Sequence, residues 1–491
     1  MVRYWLAGVL VLLAACSDRT SSTTIVFAVA TAPSMLDPRL ASDAASERVN
    51  ALLYDRLVEL DEHGNPQPKM ANWEAVTDRR FRLHLQADRA SFWDGRVPDA
   101  DDVVATYLGI LNPRLASPHA GGLSHIDAMR ALDAETIEVE LSHADPLFPA
   151  RLTIGILPAA TARQPHALTD PMGSGTFAFV QRRADDSLIV RRRSDGQEIA
   201  FEAVADPTMR TLKLLRGEAN LLQNDLPPEL LDYLAGRPDV ALQARPGTTF
   251  AYLGFNLTDP VLAQREVRAA IAHAIDRAAI VRYLFAGRAE PGESVLRPEH
   301  WAGADGLQAR IYDPERARRL LHEVGYEADR PLTLSYKTST DPLRLRIAHV
   351  LQQQLAQVGI TLQIASYDWG TFFGDIKAGR FQMYSLAWVG VNSPDILRYA
   401  FHSVSQPPAG ANRGRYRSVV VDRLIETAET LPATQAAVLL REVQRQVHED
   451  VVYVPLWYES NVAVSRGVAG YVPGYDGNYL ALENVRRSDA R

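Results

Sequence analysis

Only one cysteine, Cys16, stands among 491 residues, so no intrachain disulfide is available and the fold must be held by packing. After the first sixteen residues no uninterrupted apolar run reaches the 18 or more residues of a membrane-spanning helix. Charge of one sign is also scarce: 52 lysines and arginines face 59 aspartates and glutamates, a formal net charge of −7. A mildly acidic chain offers no electrostatic footprint for DNA or RNA. Its one basic concentration, Arg191-Arg192-Arg193 near Arg182 and Arg183, is interleaved with Asp185, Asp186 and Asp195, the pattern of a solvated strand face.

Catalytic signatures are missing too. There is no H-E-x-x-H, no G-x-S-x-G and no S-x-x-K, so zinc-protease, hydrolase-elbow and penicillin-binding schemes lack their central residues. In Met172-Gly173-Ser174-Gly175 the glycine adjoins the serine instead of preceding it by two, which reads as a turn. The 12 histidines are scattered, and His119 with His125 forms no ligand spacing, so neither a metal nor a cofactor is expected. Two carboxylates can meet from anywhere in a chain, which leaves a carboxylate-dependent glycosidase open as an alternative.

What is present begins with the placement of that cysteine. Arg3 and the amino terminus form a positive start, Tyr4 to Ala15 is mostly apolar, and Leu13-Ala14-Ala15 leads into Cys16, followed by the polar run from Ser17. This is the layout of a lipoprotein signal. A helix over Tyr4 to Ala15 reaches about 18 Å against a hydrocarbon core of roughly 30 Å, so it does not span. Acylation of Cys16 predicts a lipid-anchored protein of the cell envelope, on the periplasmic side, with residues 17–23 as a flexible tether. A cleaved signal peptide with an incidental cysteine is the competing reading.

The mature chain is too long for one core, so two or three lobes are expected. Alternation predicts strands at Ile25-Phe27-Val29, Phe81-Leu83-Leu85 and Ile137-Val139-Leu141. Helical periodicity covers 101–111, with Asp101 as cap, and 267–284 as one helix stopped by Gly287. Asp313-Pro314-Glu315 and Asp341-Pro342 open two further helices, closed by Gly325 and Gly359. The second lies between alternating segments 332–336 and 360–364, a strand-helix-strand unit that predicts parallel pairing and an α/β lobe.

Several ordered blocks then carry a resemblance. They are Pro33-Ser34-Met35-Leu36-Asp37-Pro38, Leu53-Tyr54-Asp55-Arg56-Leu57-Val58-Glu59, Gln67-Pro68-Lys69-Met70-Ala71-Asn72-Trp73-Glu74, Phe92-Trp93-Asp94-Gly95 with Ala100-Asp101-Asp102-Val103-Val104, Leu253-Gly254-Phe255-Asn256, the block 267–277, and the block 313–321. In this order they resemble the extracellular solute-binding proteins of family 5, the receptors of peptide and nickel type ABC importers. Most of these residues suit caps and turns: Asp94-Gly95 a tight turn, Asp276-Arg277 an ion pair.

The resemblance implies a three-lobed α/β receptor, of the periplasmic-binding-protein-like type II, cluster C kind, with mixed sheets and hinge bending. Lobe I would comprise 24–45, 166–250 and 466–491, lobe II the insertion 46–165, and lobe III 251–465. It implies that a peptide or peptide-like solute is captured in an interlobe cleft and delivered to ABC permease subunits by a monomer, without chemistry. A lipid-anchored sensor or chaperone-like protein is the alternative. Candidate cleft residues are Met35 and Leu36, Phe255 and Asn256, Trp369, and the loop Trp388-Val389-Gly390-Val391-Asn392; Trp369 and Trp388 are equally suited to a core. Peptide-binding relatives commonly place an aspartate at Val391 to pair with a ligand ammonium, and some carry an arginine near 336–340, where this chain has only Lys337. A modified or blocked peptide, an opine-like conjugate or a saccharide is therefore expected to bind better than a free peptide.

Overall fold

The computed structural model describes residues 24–327 and 330–488 of the chain. The signal at 1–16 with Cys16 and the tether at 17–23 lie outside the described residues. Strand β1 (Ile25–Val29) is followed by the short pair β2 (Val58–Leu60) and β3 (Pro66–Pro68), then by β4 (Ala71–Ala75), β5 (Arg80–Leu85), β6 (Ile126–Ala131) and β7 (Thr136–Leu141). Next come β8 (Phe177–Arg182), β9 (Leu188–Arg192), β10 (Glu198–Ala203), β11 (Leu221–Gln223) and the long β12 (Ala241–Phe255). The remainder are β13 (Ala289–Pro291), β14 (Leu332–Ser339), β15 (Ile360–Tyr367), β16 (Met383–Trp388) and the long β17 (Tyr453–Ser465).

One mixed sheet runs through lobes I and III in the order β15-β14-β16-β12-β17-β11-β1-β10-β9-β8, with β13 added on β17. Strand β1 pairs in parallel with both β10 and β11 and is buried on both faces, which is why its sequence is apolar nearly throughout. Its Phe27 packs with Phe201 and Tyr479. Lobe II is a separate antiparallel sheet, β4-β5-β7-β6, whose alternating Phe81, Leu83, Ile137 and Val139 form one core with Val103 and Tyr107 of the helix Ala100–Leu111. In lobe III one sheet face is covered by helices including Arg265–Ala274 and Pro342–Ala356. The other is covered by Trp369–Ala378, Asp395–Phe401, Val419–Ala428 and Ala433–Glu449.

Local signals explain most helix starts. Asp313 and Asp341 each accept a backbone N–H three residues on, and β14 and β15 are parallel. Four sequence expectations need correction. The helix at 100–111 is capped by Asp99 in a reciprocal box with Asp102, not by Asp101. The segment 267–284 is two helices, because Asp276 caps a second one at Arg277–Leu284 by accepting from Ala279 N; Arg277 pairs instead with Glu293 at 2.6 Å. Arg192 is no solvated residue: it is buried, pairs with Asp195 and donates to the carbonyls of Leu482, Glu483 and Val485, tying the C-terminal segment to lobe I. Finally, Val49, Leu52, Leu53 and Tyr54 pack in the lobe I core with β1, so the helix Ala44–Leu53 belongs to lobe I and lobe II starts near residue 57, not 46.

Candidate functional site

The chain passes between lobe I and lobe III twice, through the neighbouring antiparallel strands β12 and β17. Their ladder is interrupted at the crossing. Arg245 opposes Asn461 and Thr249 opposes Glu459, so Pro246, Gly247 and Thr248 stand against Ser460 alone. Such a bulge bends a strand and frees local backbone from the ladder. Glycine is required there, since a Cβ on Gly247 would lie 2.4 Å from the Glu459 carbonyl.

Strands β14, β15 and β16 run parallel, and all three point their carboxyl ends at this crossing, where open α/β sheets form their ligand crevices. The strand ends and the segments that follow carry six of the expected cleft residues: Trp388 ends β16, Val389 to Asn392 form the next loop, and Trp369 opens the helix after β15. Trp369 is 58% exposed and stacks on Phe373 at 5.3 Å. Trp388 ends β16, packs on Tyr252 and leads into the exposed Val389. Gly390 N donates to Thr249 Oγ1 at 3.4 Å and Val391 N to Thr248 O at 3.3 Å, which holds the loop on the bulge. Asn392 O accepts from His300 Nε2 at 3.2 Å. His300 Nδ1 accepts from Ala302 N at 3.1 Å, so the proton sits on Nε2 and the ring is neutral. Burial pushes its pKa down to about 4.

Met35 and Leu36 lie in lobe I with their backbone fixed by Ser46, Asn50 and Tyr54; Leu36 packs against the lobe I core. Phe255 and Asn256 are elsewhere. Phe255 is fully buried at the far end of β12, and Asn256 Nδ2 donates to the Gly379 and Phe381 carbonyls. The wide interruption of the β12–β17 ladder lies at 246–248, a second one-residue shift falls between Ala251 and Tyr252, and Phe255 ends the strand beyond both.

Lobe III touches both other lobes. Trp301 N donates to His63 O at 2.9 Å and His63 Nδ1 to Glu299 O at 2.8 Å. Arg151 pairs with Asp395 at 2.5 Å, Arg346 with Glu229 at 2.8 Å and Arg288 with Asp232 at 2.7 Å. These contacts hold the three lobes together. A groove of about 780 Å³ separates lobes I and II at Lys69, Arg89, Ser174 and Arg193; Arg89 is held by the carbonyls of Gln86 and Pro98 within lobe II, and Arg193 by those of Ser174 and Gly175 within lobe I, with a further bond across to Ser91 Oγ at 3.2 Å.

Residues 65–407 match the family described as bacterial extracellular solute-binding proteins, family 5 Middle. The chain belongs to this family. This family 5 protein is 27% identical over 478 residues to a probable di/tripeptide-binding protein 5 of Pseudomonas aeruginosa (strain UCBPP-PA14), covering 89% of each chain. Its fold matches NikA from Brucella suis in complex with Fe(III)-EDTA at TM-score 0.85 and 19% identity, covering 95% of this chain and 100% of that one. It also matches DppA from Helicobacter pylori in complex with peptide STSA at TM-score 0.77 and 23% identity, covering 94% and 98%. Family 5 proteins are periplasmic or extracellular solute-binding proteins. Among the described residues no helix is long and apolar enough to cross a membrane.

Charge in this family 5 protein is arranged unlike its sequence suggested. Lys337 is engaged, its Nζ 2.5 Å from Asp375, whose carboxyl it holds below the usual range. Asp395 is engaged by Arg151. Asp225, which sequence reasoning missed, makes no side-chain hydrogen bond among the described residues. It follows β11 in a turn where Asn224 and Asp225 both take positive φ, 57° and 53°, with the Asp225 carbonyl held by Arg210. The carboxylate is open to water yet ringed by protein, as a cleft group is, and burial pushes its pKa up against the nearby Arg210, Arg48 and Arg344. Two consecutive left-handed non-glycine residues are costly; the only sequence hint is an Asn-Asp pair between a strand and Pro227-Pro228.

Proposed function

We propose that the chain is the receptor of an ABC importer whose lobe III shuts against lobes I and II around a peptide or peptide-like solute and passes it, chemically unchanged, to a membrane permease. The observation that carries this reading is the crossing: two adjacent strands, bulged where they pass, join lobes that otherwise meet only through noncovalent contacts. That is a hinge, and hinge closure is how a receptor of this architecture buries a ligand. The di/tripeptide name carried by a relative 27% identical over most of the chain supports the peptide class.

The cleft chemistry narrows the solute. Val391 is half-buried and apolar, Asp395 is neutralised across the seam, and a charge buried without its partner costs on the order of 3 to 5 kcal/mol. A free α-ammonium has no carboxylate at the loop 388–392. The open carboxylate is Asp225 on lobe I, which suits a cation or hydrogen-bond donor elsewhere on the solute. The receptor thus takes a peptide whose amino terminus is blocked or modified, with Trp369, Trp388 and the 389–392 loop as its lobe III wall. Acylation of Cys16 keeps the monomeric receptor on the periplasmic side of a membrane.

Native mass spectrometry of protein purified without refolding, followed by calorimetry with N-acetylated and free dipeptides, tests this. Blocked peptides are expected to bind and to emerge with unchanged mass. Tight binding of free dipeptides alone refutes the blocked-terminus reading, and a changed mass refutes the receptor.

A further inference from the structure

Six arginines are buried among the described residues: Arg39, Arg192, Arg210, Arg268, Arg277 and Arg413. Each of the first five makes at least three hydrogen bonds, to carboxylates, to backbone carbonyls or to both. Arg413 makes one, from Nη1 to the Tyr252 hydroxyl at 3.0 Å. No carboxylate pairs with it. Its guanidinium lies between two aromatic faces, 4.5 Å from the Trp388 centroid and 5.4 Å from that of Phe373. Cation–π contact offsets only part of what burying a charge removes.

The position is at the cleft. Trp388 opens the loop 389–392, and Phe373 lies under the exposed Trp369 in the helix that follows β15. The Nε and Nη2 groups of Arg413 make no hydrogen bond and are not among the occluded polar atoms, so they keep access to solvent. Trp388 Nε1, in the same cluster, is a buried donor with no acceptor. A planar cation with a free edge, held rigidly between rings, matches a carboxylate geometrically. Lys337, at the position the sequence had offered for that role, is neutralised by Asp375.

We propose that Arg413 is the anion-binding residue of the cleft, taking a carboxylate of the solute on its free Nε/Nη2 edge. The proposal rests on the reading of the cleft as a solute site and names the solute class: a carboxylated compound whose amine is blocked.

The test compares four probes on the full mature chain by calorimetry: an N-acetylated dipeptide and its C-terminal amide, and benzoate and benzamide, whose ring suits the aromatic walls. Each acid is expected to bind about 100-fold tighter than its amide, as loss of a charge-assisted pair implies. Arg413→Gln should collapse that ratio to about threefold and Arg413→Lys should keep part of it. Melting curves verify that each variant is folded, and the acid-to-amide ratio of the unaltered chain decides the matter if Arg413→Gln does not fold. Equal binding of acid and amide in both pairs, no binding by any probe, or an acid preference that survives Arg413→Gln overturns the proposal. Benzoate selected through Arg413 while neither peptide binds leaves the anchor standing and overturns the peptide reading instead.

Discussion

Gly64 is the residue on which closure turns most sharply. It sits at φ +79° in the lobe II turn that meets lobe III, and a Cβ there would lie 2.1 Å from His300 Nε2 and 2.8 Å from Asn392 O. His300 has no room to yield, because both its ring nitrogens are bonded, to Asn392 O and Ala302 N. In Gly64→Ala the lobes must therefore stand off by more than about 1 Å to reach ordinary contact near 3.5 Å. That displacement breaks the two hydrogen bonds between His63 and the 299–301 segment, now 2.9 and 2.8 Å. At about 0.5 to 1.5 kcal/mol each, their loss removes roughly 1 to 3 kcal/mol of closure, or about 5- to 150-fold in solute affinity. The left-handed backbone adds strain of about 1 to 2 kcal/mol to open and closed forms alike, lowering thermal stability but not closure. Gly95→Ala isolates that second effect, since Gly95 has φ +92° and nothing within 4 Å of its Cβ position. Calorimetry with the N-acetylated dipeptide, together with small-angle scattering, reads the difference. If Gly64→Ala binds as tightly as Gly95→Ala, the turn does not gate closure and the reasoning fails.

Acid should weaken capture. Burial in the closed form holds the His300 pKa at about 4, while an exposed imidazole titrates near 6.5, so the closed form binds fewer protons than the open one. Closure is then fully supported above about pH 6.5 and loses that support as pH falls toward 4; His300→Gln should flatten the profile, and parallel profiles for the two proteins would refute this. Removing Arg277 should cost about 3 to 5 kcal/mol of folding stability, because its guanidinium joins the carbonyls of Gly292, Pro455 and Arg310 to Glu293 in the lobe III interior; denaturant unfolding of Arg277→Ala within about 1 kcal/mol of the parent would contradict it.

The sequence made legible what is local and left hidden what is relational. Caps such as Asp313 and Asp341 act within three residues, so their chemistry is visible in the chain itself. Asp276 was less visible because an apolar face continues through it, and only the bond to Ala279 N shows that the helix restarts there. The break in the β12–β17 ladder does have a local signal, since Pro246-Gly247 inside a strand pattern marks such a break, eight residues before the Phe255-Asn256 pair. Arg192 looked solvated because its neighbours in sequence are acidic; it does pair with Asp195, but what buries it is a set of carbonyls some 290 residues away. Asp225 and Arg413 are defined by partners they lack, and an absence of that kind exists only once the chain is folded.

The same contrast explains why a closed receptor with so many seam contacts still needs its solute. The ion pairs Arg346–Glu229, Arg288–Asp232 and Arg151–Asp395 each keep one or both members about half exposed, and such pairs contribute about 0 to 1 kcal/mol each. They orient the lobes without committing them. Two groups at the cleft lack a charged partner among the described residues: a buried guanidinium with one hydrogen bond and the solvent-facing carboxylate of Asp225. On an empty cleft both groups face only water, whereas a solute that carries complementary charge pairs with each in a site of lower dielectric than bulk water. Differential affinity of that kind is what shifts an open-closed equilibrium, so the charges that the seam leaves unanswered select both the solute and the moment of closing.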